Sequence, residues 1–234
     1  MTELTGRRVL LVGGASGIGA EVARSAAGEG AEVIMAGRNP DVISPPPGGR
    51  SVRIDLGDES TIAQAAADLG HVDDLVVLAA DHANGAVTSL DAGRIRRALD
   101  AKVIGPLLLA KHFAPRMPDD GAIVLFSGVA SSRPSPDLVV MATGNRAVEG
   151  LADALAVELA PIRVVSVSPG IVDSGAWDVL GDDGKARLFA DTAAANPARR
   201  VGTPADIAAV VILTLTNPFL TATTLHVDGG ARLT

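Results

Sequence analysis

The alternation of two kinds of segment along the chain constrains the fold more than any other feature. Short runs rich in Val, Ile and Leu alternate with longer Ala-rich segments in which apolar residues recur at helical spacing. Buried parallel strands joined by crossover helices produce this pattern. It predicts an α/β protein. The seven predicted strands lie near residues 9–12, 32–36, 51–54, 75–79, 122–126, 163–167 and 224–227.

The helical periodicity and the loop composition complete the prediction. Helices are expected near residues 17–27, 61–69, 92–112, 138–159, 184–190 and 204–215. The segment NPDVISPPPGGR, between the second and third strands, has three consecutive prolines and two glycines and cannot sustain a helix. No repeat or linker divides the chain, so residues 1–234 are predicted to form one domain. Residues 172–200, the lid segment, should lie above the carboxyl ends of the strands, where ligands bind in such folds.

Composition limits the classes of partner. Of the 234 residues, 47% are hydrophobic, and acidic and basic residues are interspersed with a net charge of -7, which argues against nucleic acid as a partner. The chain has no cysteine, which excludes disulfides, and its first residues have no signal-peptide layout. No apolar stretch reaches the roughly 18 to 20 residues of a membrane helix. We therefore expect a cytoplasmic protein without membrane or nucleic-acid partners.

The run VLLVGGASGIGAEVA predicts a phosphate-binding turn between the first strand and the first helix. Glycine at positions 13, 17 and 19 lets the backbone turn tightly and approach a pyrophosphate, whose charge is met by free N–H groups at the helix N-terminus. Ser16 and Ile18 lie in the same turn and are included in the predicted cofactor site. The alternative is an ordinary tight turn, since glycines serve those as well.

These residues resemble a fingerprint of the short-chain dehydrogenase/reductase family, a group of single-domain proteins with a Rossmann-like, doubly wound parallel sheet and helices on both faces. GGASGIG matches its Gly-x-x-x-Gly-Ile-Gly motif, with Val12 where threonine is usual. Further matches follow in order along nearly the whole chain: Asp55, Ser168-Pro169-Gly170, Arg199-Arg200-Val201-Gly202-Thr203-Pro204 and Val227-Asp228-Gly229-Gly230.

The resemblance implies further cofactor contacts. It places Asp55 at the adenine, although a plain strand-end turn is the alternative for this residue. It places Ser174 at the nicotinamide carboxamide. The remaining residues that it assigns to the cofactor site are Leu56, Ala80, Pro169 and Gly170.

The end of the second strand predicts which nicotinamide cofactor is used. A carboxylate there would accept hydrogen bonds from the adenosine ribose of NAD, but this chain has Gly37 followed by Arg38. A guanidinium pairs bidentately with a 2′-phosphate, whereas an acid would repel it. NADP(H) is therefore the expected cofactor. The alternative is a solvated loop arginine.

The acid–base residues that the resemblance implies have been replaced. Members of the family use Asn, Ser, Tyr and Lys, the last two spaced Tyr-x-x-x-Lys. Sequence context places Lys102, Gly128, Met141 and Asn145 at these four positions. The chain contains no tyrosine at all, so the usual proton donor is absent wherever the alignment is drawn.

Lys102 is the substitution with the clearest chemical consequence. The residues three, four and seven positions away on its helix are apolar, so its ammonium should lie near the buried apolar face of that helix. A charged group there is costly unless it has a hydrogen-bond or ion-pair partner or a functional role. Pro106 lacks the N–H that would bond the carbonyl of Lys102, which predicts a local kink. The alternative is a lysine that reaches solvent or a subunit interface. Other candidates for proton transfer are His82, Ser127 and Asn145.

The sequence thus predicts an NADP(H)-dependent oxidoreductase acting on a small, fairly apolar carbonyl or alcohol through a non-standard acid–base group. Two alternatives stay open: a non-catalytic NADP(H)-binding sensor or partner subunit, and a non-redox isomerase, lyase or cyclase. No metal-ligand cluster is apparent in the sequence. The resemblance implies a homotetramer or homodimer, with contacts through the helix at 138–159 and the helix that contains Lys102.

Overall fold

The computed structural model of the chain describes residues 3–234 and contains one seven-stranded parallel sheet. Its strand order is β3-β2-β1-β4-β5-β6-β7, so the order reverses between β1 and β4. In a doubly wound sheet, ligands bind at this reversal, outside the carboxyl ends of the strands. The strands are β1 (Arg8–Val12), β2 (Glu32–Gly37), β3 (Arg50–Arg53), β4 (Asp74–Val77), β5 (Ala122–Phe126), β6 (Arg163–Pro169) and β7 (Thr223–Val227).

Helices cover both faces of the sheet, as predicted. They are α1 (Gly17–Gly28), α2 (Glu59–Leu69), α3 (Ala92–Leu99), α4 (Gly105–Phe113), α5 (Val139–Glu158), α6 (Gly181–Ala195) and α7 (Pro204–Thr216). One apolar core contains side chains of α2, α4 and α5, and the other contains side chains of α1 and α7. Within residues 3–234, no helix is both long and apolar enough to cross a membrane.

The predicted helix at 92–112 is interrupted. A wide π-helical turn, Asp100–Ile104, separates α3 from α4, and in it the N–H of Gly105 bonds the carbonyl of Asp100, five residues earlier. Pro106 follows directly and has no N–H for the carbonyl of Lys102. The predicted kink therefore takes the form of one inserted residue, and Lys102 lies at its centre.

Several strand ends and one helix also differ from the prediction. Strand β4 ends at Val77 and not at Ala79, because the N–H groups of both Leu78 and Ala79 converge on the carbonyl of Val12 and the chain leaves the sheet there. Strand β3 ends at Arg53, one residue before the predicted end. The predicted helix at 184–190 is the longer α6, and most of it is exposed.

The proline-rich connection between β2 and β3 contains no α-helix, as predicted. It forms one short 3₁₀ turn, Pro40–Val42, followed by extended chain. Ile43 is its apolar anchor and packs against the core on the α1 face. The C-terminal ends of β2 and β3 therefore lie beside a loop on this face, where a doubly wound sheet usually has a helix.

Candidate functional site

The turn between β1 and α1 needs glycine at two positions. Gly13 has a φ of +88°, and a Cβ there would lie 2.4 Å from backbone atoms of Ala79. Gly17 has a φ of +52°, and a Cβ there would lie 2.5 Å from the carbonyl oxygen of Ser174. Both contacts are too close for any side chain, so the sequence pattern follows from steric requirements.

The N-terminus of α1 closes this turn and presents free donors. A Cβ on Gly19 would lie 2.3 Å from the Cα of Gly14, so the first helical turn packs directly on the loop. Ser16 is the N-cap residue, but its side chain makes no capping hydrogen bond. The first N–H groups of the helix have no intrahelical partner. Uncapped donors above a glycine turn fit a pyrophosphate.

The glycine turn forms one wall of a groove of about 390 Å³. The opposite wall is the start of the lid segment at Ser174 to Ala176, and Leu78 and Phe126 close its floor at the ends of β4 and β5. The groove therefore lies at the reversal of strand order. Ser16, Ile18 and Ser174 were predicted from sequence, whereas Leu78 and Phe126 were not, because only the sheet order brings these two side chains together.

The other predicted cofactor residues lie along the same edge of the sheet. The carboxylate of Asp55 accepts the N–H of Gly57 at 3.0 Å, which is the strand-end turn proposed as its alternative role. Leu56 is buried against Gly105, and Ala80 is exposed after β4. A cofactor role for these three residues stays a prediction.

The end of β6 is held by the chain that follows β7. Pro169 is the last residue of β6 and is half-buried. A Cβ on Gly170 would lie 2.8 Å from the Cα of Asp228. Asp228 in turn accepts hydrogen bonds from the N–H groups of Gly230 and Arg232. The Ser-Pro-Gly and Val-Asp-Gly-Gly motifs are therefore in direct contact.

Polar contacts within the lid segment hold its first part together. The indole N–H of Trp177 donates to the carbonyl of Val172 at 3.1 Å. Lys185 lies 2.9 Å from Asp173 and 2.7 Å from Asp178, and hydrogen bonds from its ammonium to Asp178 and Asp173 raise the pKa of Lys185. Trp177 is thus tied to Val172, the first residue of the lid segment.

Lys102 lies beside the strand end next to the groove. Its ammonium donates to the carbonyl of Ser127 at 3.5 Å, and Ser127 directly follows Phe126 in the chain. A Cβ on Gly144, in α5, would contact the Cγ of Lys102 at 3.4 Å. The residue keeps part of its surface exposed, but burial lowers the pKa of Lys102 to about 8. Its neutral and charged forms are therefore both accessible near neutral pH.

Ser127 joins this lysine to a buried carboxylate. The hydroxyl of Ser127 donates to Glu149 at 2.8 Å, and the hydroxyl of Ser131 donates to the same oxygen at 2.5 Å. Arg146 lies 2.7 Å from the other carboxylate oxygen. Sequence reasoning missed Glu149. Glu149 follows Asn145 by four residues on the same helix, and this spacing, which puts both side chains on one helix face, could have identified it.

Asn145 occupies the space beside Gly128. Its side chain is almost fully buried, and its amide donates to the carbonyl of Gly128 at 3.4 Å. A Cβ on Gly128 would lie only 2.9 Å from the same amide nitrogen. The amide of Asn145 therefore fills the place that a serine side chain at position 128 would need. Met141, one turn earlier on α5, is half-buried.

His82 is not part of this cluster. It is exposed in the loop after β4, where its backbone N–H donates to Asp81 at 2.8 Å and its carbonyl accepts from Arg94 at 3.5 Å. No hydrogen bond of its imidazole ring occurs among the described residues. Of the four predicted acid–base candidates, the structure brings together Lys102, Ser127 and Asn145. In the described part of the chain, no group of three or more His, Asp or Glu side chains is placed to hold a metal ion.

Comparison with known proteins agrees with this fold. Residues 13–232 match the family model described as Enoyl-(Acyl carrier protein) reductase. The short-chain dehydrogenase/reductase ucsE of Acremonium sp is 30% identical, over 99% of this chain and 97% of that protein.

Two solved structures have the same architecture over nearly their full length. A small-chain dehydrogenase in complex with NADPH is 31% identical, with a TM-score of 0.86 over 97% of this chain and 99% of that one. The MalC reductase/Diels-Alderase of Malbranchea aurantiaca is 27% identical, with a TM-score of 0.92 over 100% and 99% of the two chains. The protein described here belongs to the short-chain dehydrogenase/reductase family of oxidoreductases.

Proposed function

We propose that this protein is an NADP(H)-dependent oxidoreductase that acts on a small, fairly apolar carbonyl or alcohol, with Lys102 as its acid–base group. The observation that carries the proposal is the position of the Lys102 ammonium, bonded to the strand end that adjoins the groove of the glycine turn. A proton-transfer group with an accessible pKa would thus lie next to the proposed dinucleotide site.

The residues of the groove fit a dinucleotide. The turn at Gly13 and Gly17 would hold the pyrophosphate, the N–H groups at the start of α1 would neutralise its charge, and Ser174 would orient the nicotinamide end. Arg38 is exposed and makes no hydrogen bond or ion pair in the described chain, so its guanidinium is free for a 2′-phosphate. When bound, the nicotinamide supplies or accepts a hydride.

Lys102 would supply the proton that accompanies hydride transfer. Carbonyl reduction needs one proton at the substrate oxygen, and an ammonium whose pKa is about 8 gives it up more readily than an ordinary lysine. In the oxidative direction the neutral amine would accept the proton from the alcohol. Ser127 and Asn145 would position Lys102 and the chain beside it. The backbone carbonyl of Ser127 accepts a hydrogen bond from the ammonium, and the side-chain amide of Asn145 donates to the carbonyl of Gly128, the next residue.

The test is single-turnover kinetics with NADPH on a panel of small ketones, aldehydes and alcohols, with cofactor affinity measured in parallel. Lys102→Met should lower the rate by about a hundredfold to ten-thousandfold, the range for loss of a positioned proton donor, while nucleotide affinity changes little. His82→Ala is the control variant, and its expected loss is smaller.

Each alternative result has a distinct meaning. If Lys102→Met turns over normally and His82→Ala loses activity, the proton donor lies in the loop after β4. Product formation without any change in nicotinamide absorbance would show a non-redox reaction on the same fold.

A second candidate function is that of a non-catalytic NADP(H)-binding subunit or sensor. The observation that favours it is the amide of Asn145 against Gly128, which closes the position of the usual serine, in a chain without tyrosine. Tight NADPH binding without turnover of any substrate in the panel would support this function over the first.

We also propose that the protein is a homodimer or homotetramer. Exposed apolar side chains on or beside α4 and α5 support this arrangement: Ile104, Leu107 and Val157 are 45%, 44% and 80% exposed. Light scattering on the purified protein measures the assembly directly, and a monomer at micromolar concentration would contradict the proposal.

A further inference from the structure

We propose that Glu149, in α5, is a positioning residue for Lys102. It fixes residues 127–131, the serine segment, whose first carbonyl accepts the hydrogen bond from the Lys102 ammonium. This inference rests on the proposed acid–base role of Lys102 and adds a residue that acts through it. Glu149 is a titratable side chain that is only 7% exposed, and the proposed reaction does not otherwise use it.

Glu149 bonds the serine segment at both of its ends. Its oxygen Oε1 accepts the hydroxyl of Ser127 at 2.8 Å and the hydroxyl of Ser131 at 2.5 Å. Between these two serines the chain turns through the short 3₁₀ helix Val129–Ser131. Hydrogen bonds to an ionised acceptor are about twice as strong as neutral ones. The segment therefore cannot move away from α5 without breaking strong bonds.

Arg146 balances the charge of Glu149 and bonds the same segment. One nitrogen of its guanidinium lies 2.7 Å from the other carboxylate oxygen, and a second nitrogen donates to the carbonyl of Ser131 at 2.9 Å. A buried carboxylate needs such partners, because an unpaired buried charge is costly. Each oxygen of Glu149 thus has a partner that belongs to the serine segment or bonds it.

Ser127 connects this restraint to Lys102. Its hydroxyl is bonded to Glu149, and its carbonyl accepts the ammonium of Lys102 at 3.5 Å. Its N–H donates to the carbonyl of Val167 at 2.8 Å, on the neighbouring strand β6. The strand bond holds the N–H side of Ser127, while the bond to Glu149 holds its side chain against α5. Loss of Glu149 should therefore loosen the carbonyl that the ammonium contacts.

A loosened serine segment should raise the pKa of Lys102. Among the residues that the structure describes, burial is the one cause that lowers this pKa. Water that reaches the ammonium favours its charged form and so reverses the effect of burial. Loss of the bond to Ser127 would act in the opposite direction, but at 3.5 Å that bond is long and weak. The net change is expected to be upward, from about 8 toward 10.5.

The test is an NMR titration of the whole protein with ¹³C-labelled lysine. The chain has three lysines, so the resonance that disappears in Lys102→Met is assigned to Lys102. Glu149→Ala should raise the pKa of Lys102 by about one unit. Glu149→Gln should change it by less than about 0.3 unit, because the amide oxygen can still accept both hydroxyls. A carboxylate with a merely structural role would change stability without moving this pKa.

Glu158→Ala is the matched control. It removes an exposed carboxylate from the same helix, about 13 Å further along α5, and should leave the pKa of Lys102 unchanged. Circular dichroism melting of each variant checks that the fold is kept. If Glu149→Ala does not fold, Ser127→Ala decides, because it breaks the bond to Glu149 and keeps the backbone carbonyl. It should raise the pKa by about 0.5 unit, and no shift would refute the positioning role.

The possible failures are distinguishable. If Lys102 titrates near 10.5 in the unmodified protein, its proposed acid–base role falls together with this inference. If it titrates near 8 and Glu149→Ala leaves it there, only the role of Glu149 is refuted. An equal shift in Glu149→Gln and Glu149→Ala would also refute that role, since the charge of the carboxylate would then act and not its hold on the serine segment.

Discussion

Replacing Lys102 by methionine should change how the stability of the protein depends on alkaline pH. Burial lowers the pKa of Lys102 from 10.5 to about 8 in the folded chain, while in the unfolded chain the ordinary value returns. Between these two pH values the unfolded chain therefore binds more protons than the folded one. The free energy of unfolding must then rise with pH in this window, and Lys102→Met should lose that rise.

The magnitude follows from the two pKa values. A difference of one pKa unit between the folded and unfolded chain is worth about 1.36 kcal/mol. The free energy of unfolding should therefore rise by at most about 2.5 kcal/mol between pH 7 and pH 10. Because the side chain is partly exposed, solvent reduces this to about 1 to 2 kcal/mol. Below pH 8 the charged lysine is buried at a cost, so the methionine variant should be the more stable protein at pH 7.

The composition of the chain makes this measurement clean. It has no cysteine and no tyrosine, and its three lysines are Lys102, Lys111 and Lys185. Hydrogen bonds from Lys185 to Asp178 and Asp173 raise the pKa of Lys185, so its contribution to stability is present below 10.5 and is lost only at higher pH. Lys185→Met is therefore the control: its effect on stability should stay constant from pH 7 to pH 10.

The assay is urea unfolding followed by circular dichroism at half-unit steps from pH 7 to pH 10. The difference in unfolding free energy between Lys102→Met and the unmodified protein should shrink steadily above pH 8. If the two proteins have parallel pH dependences, the ammonium of Lys102 is not buried in the folded state. Lys102 would then lack the lowered pKa that suits it to proton transfer.

Three further outcomes are expected. Gly17→Ala should cost about 1 to 3 kcal/mol of stability and most of the nucleotide affinity, because a Cβ with that positive φ meets a carbonyl of the lid segment; thermal melting with and without NADPH measures both. Gly128→Ser should be destabilising because of the amide of Asn145, and adding Asn145→Ala should recover stability; a double-mutant cycle without coupling would contradict this. Asp206→Asn should cost about 1 kcal/mol at pH 7, since Arg200 and the N-cap of α7 hold the pKa of Asp206 far below its usual range. The difference should begin to shrink below about pH 4, the ordinary pKa of an aspartate, and should continue to shrink as the pH falls toward the depressed pKa of the folded protein.

Local requirements explain why much of the fold was predictable from the sequence. A buried parallel strand needs a continuous apolar run, and the runs at β1, β4 and β5 are buried along their whole length or nearly so. The turn at Gly13 and Gly17 was equally predictable, since its steric restriction acts within a few residues and shows in the glycine spacing. The kink beside Pro106 follows from one missing N–H.

Strand and helix ends were less predictable, because contacts with distant residues determine them. Strand β4 stops at Val77 because two successive N–H groups share the carbonyl of Val12, which lies on another strand. Helix α6 extends to Ala195 although its sequence has little apolar periodicity. Neither end leaves a signal within its own segment.

The sequence by itself determined the fold class, the glycine turn after β1 and the absence of the usual tyrosine, since each depends on residue types and on spacing along the chain. Only the tertiary structure decided which distant groups meet. It placed the amide of Asn145 against Gly128, connected Ser127 to the carboxylate of Glu149, and brought Leu78 and Phe126 together at the floor of the groove. Helix packing and strand register create these contacts between residues that are well separated in the chain, and no local pattern specifies them.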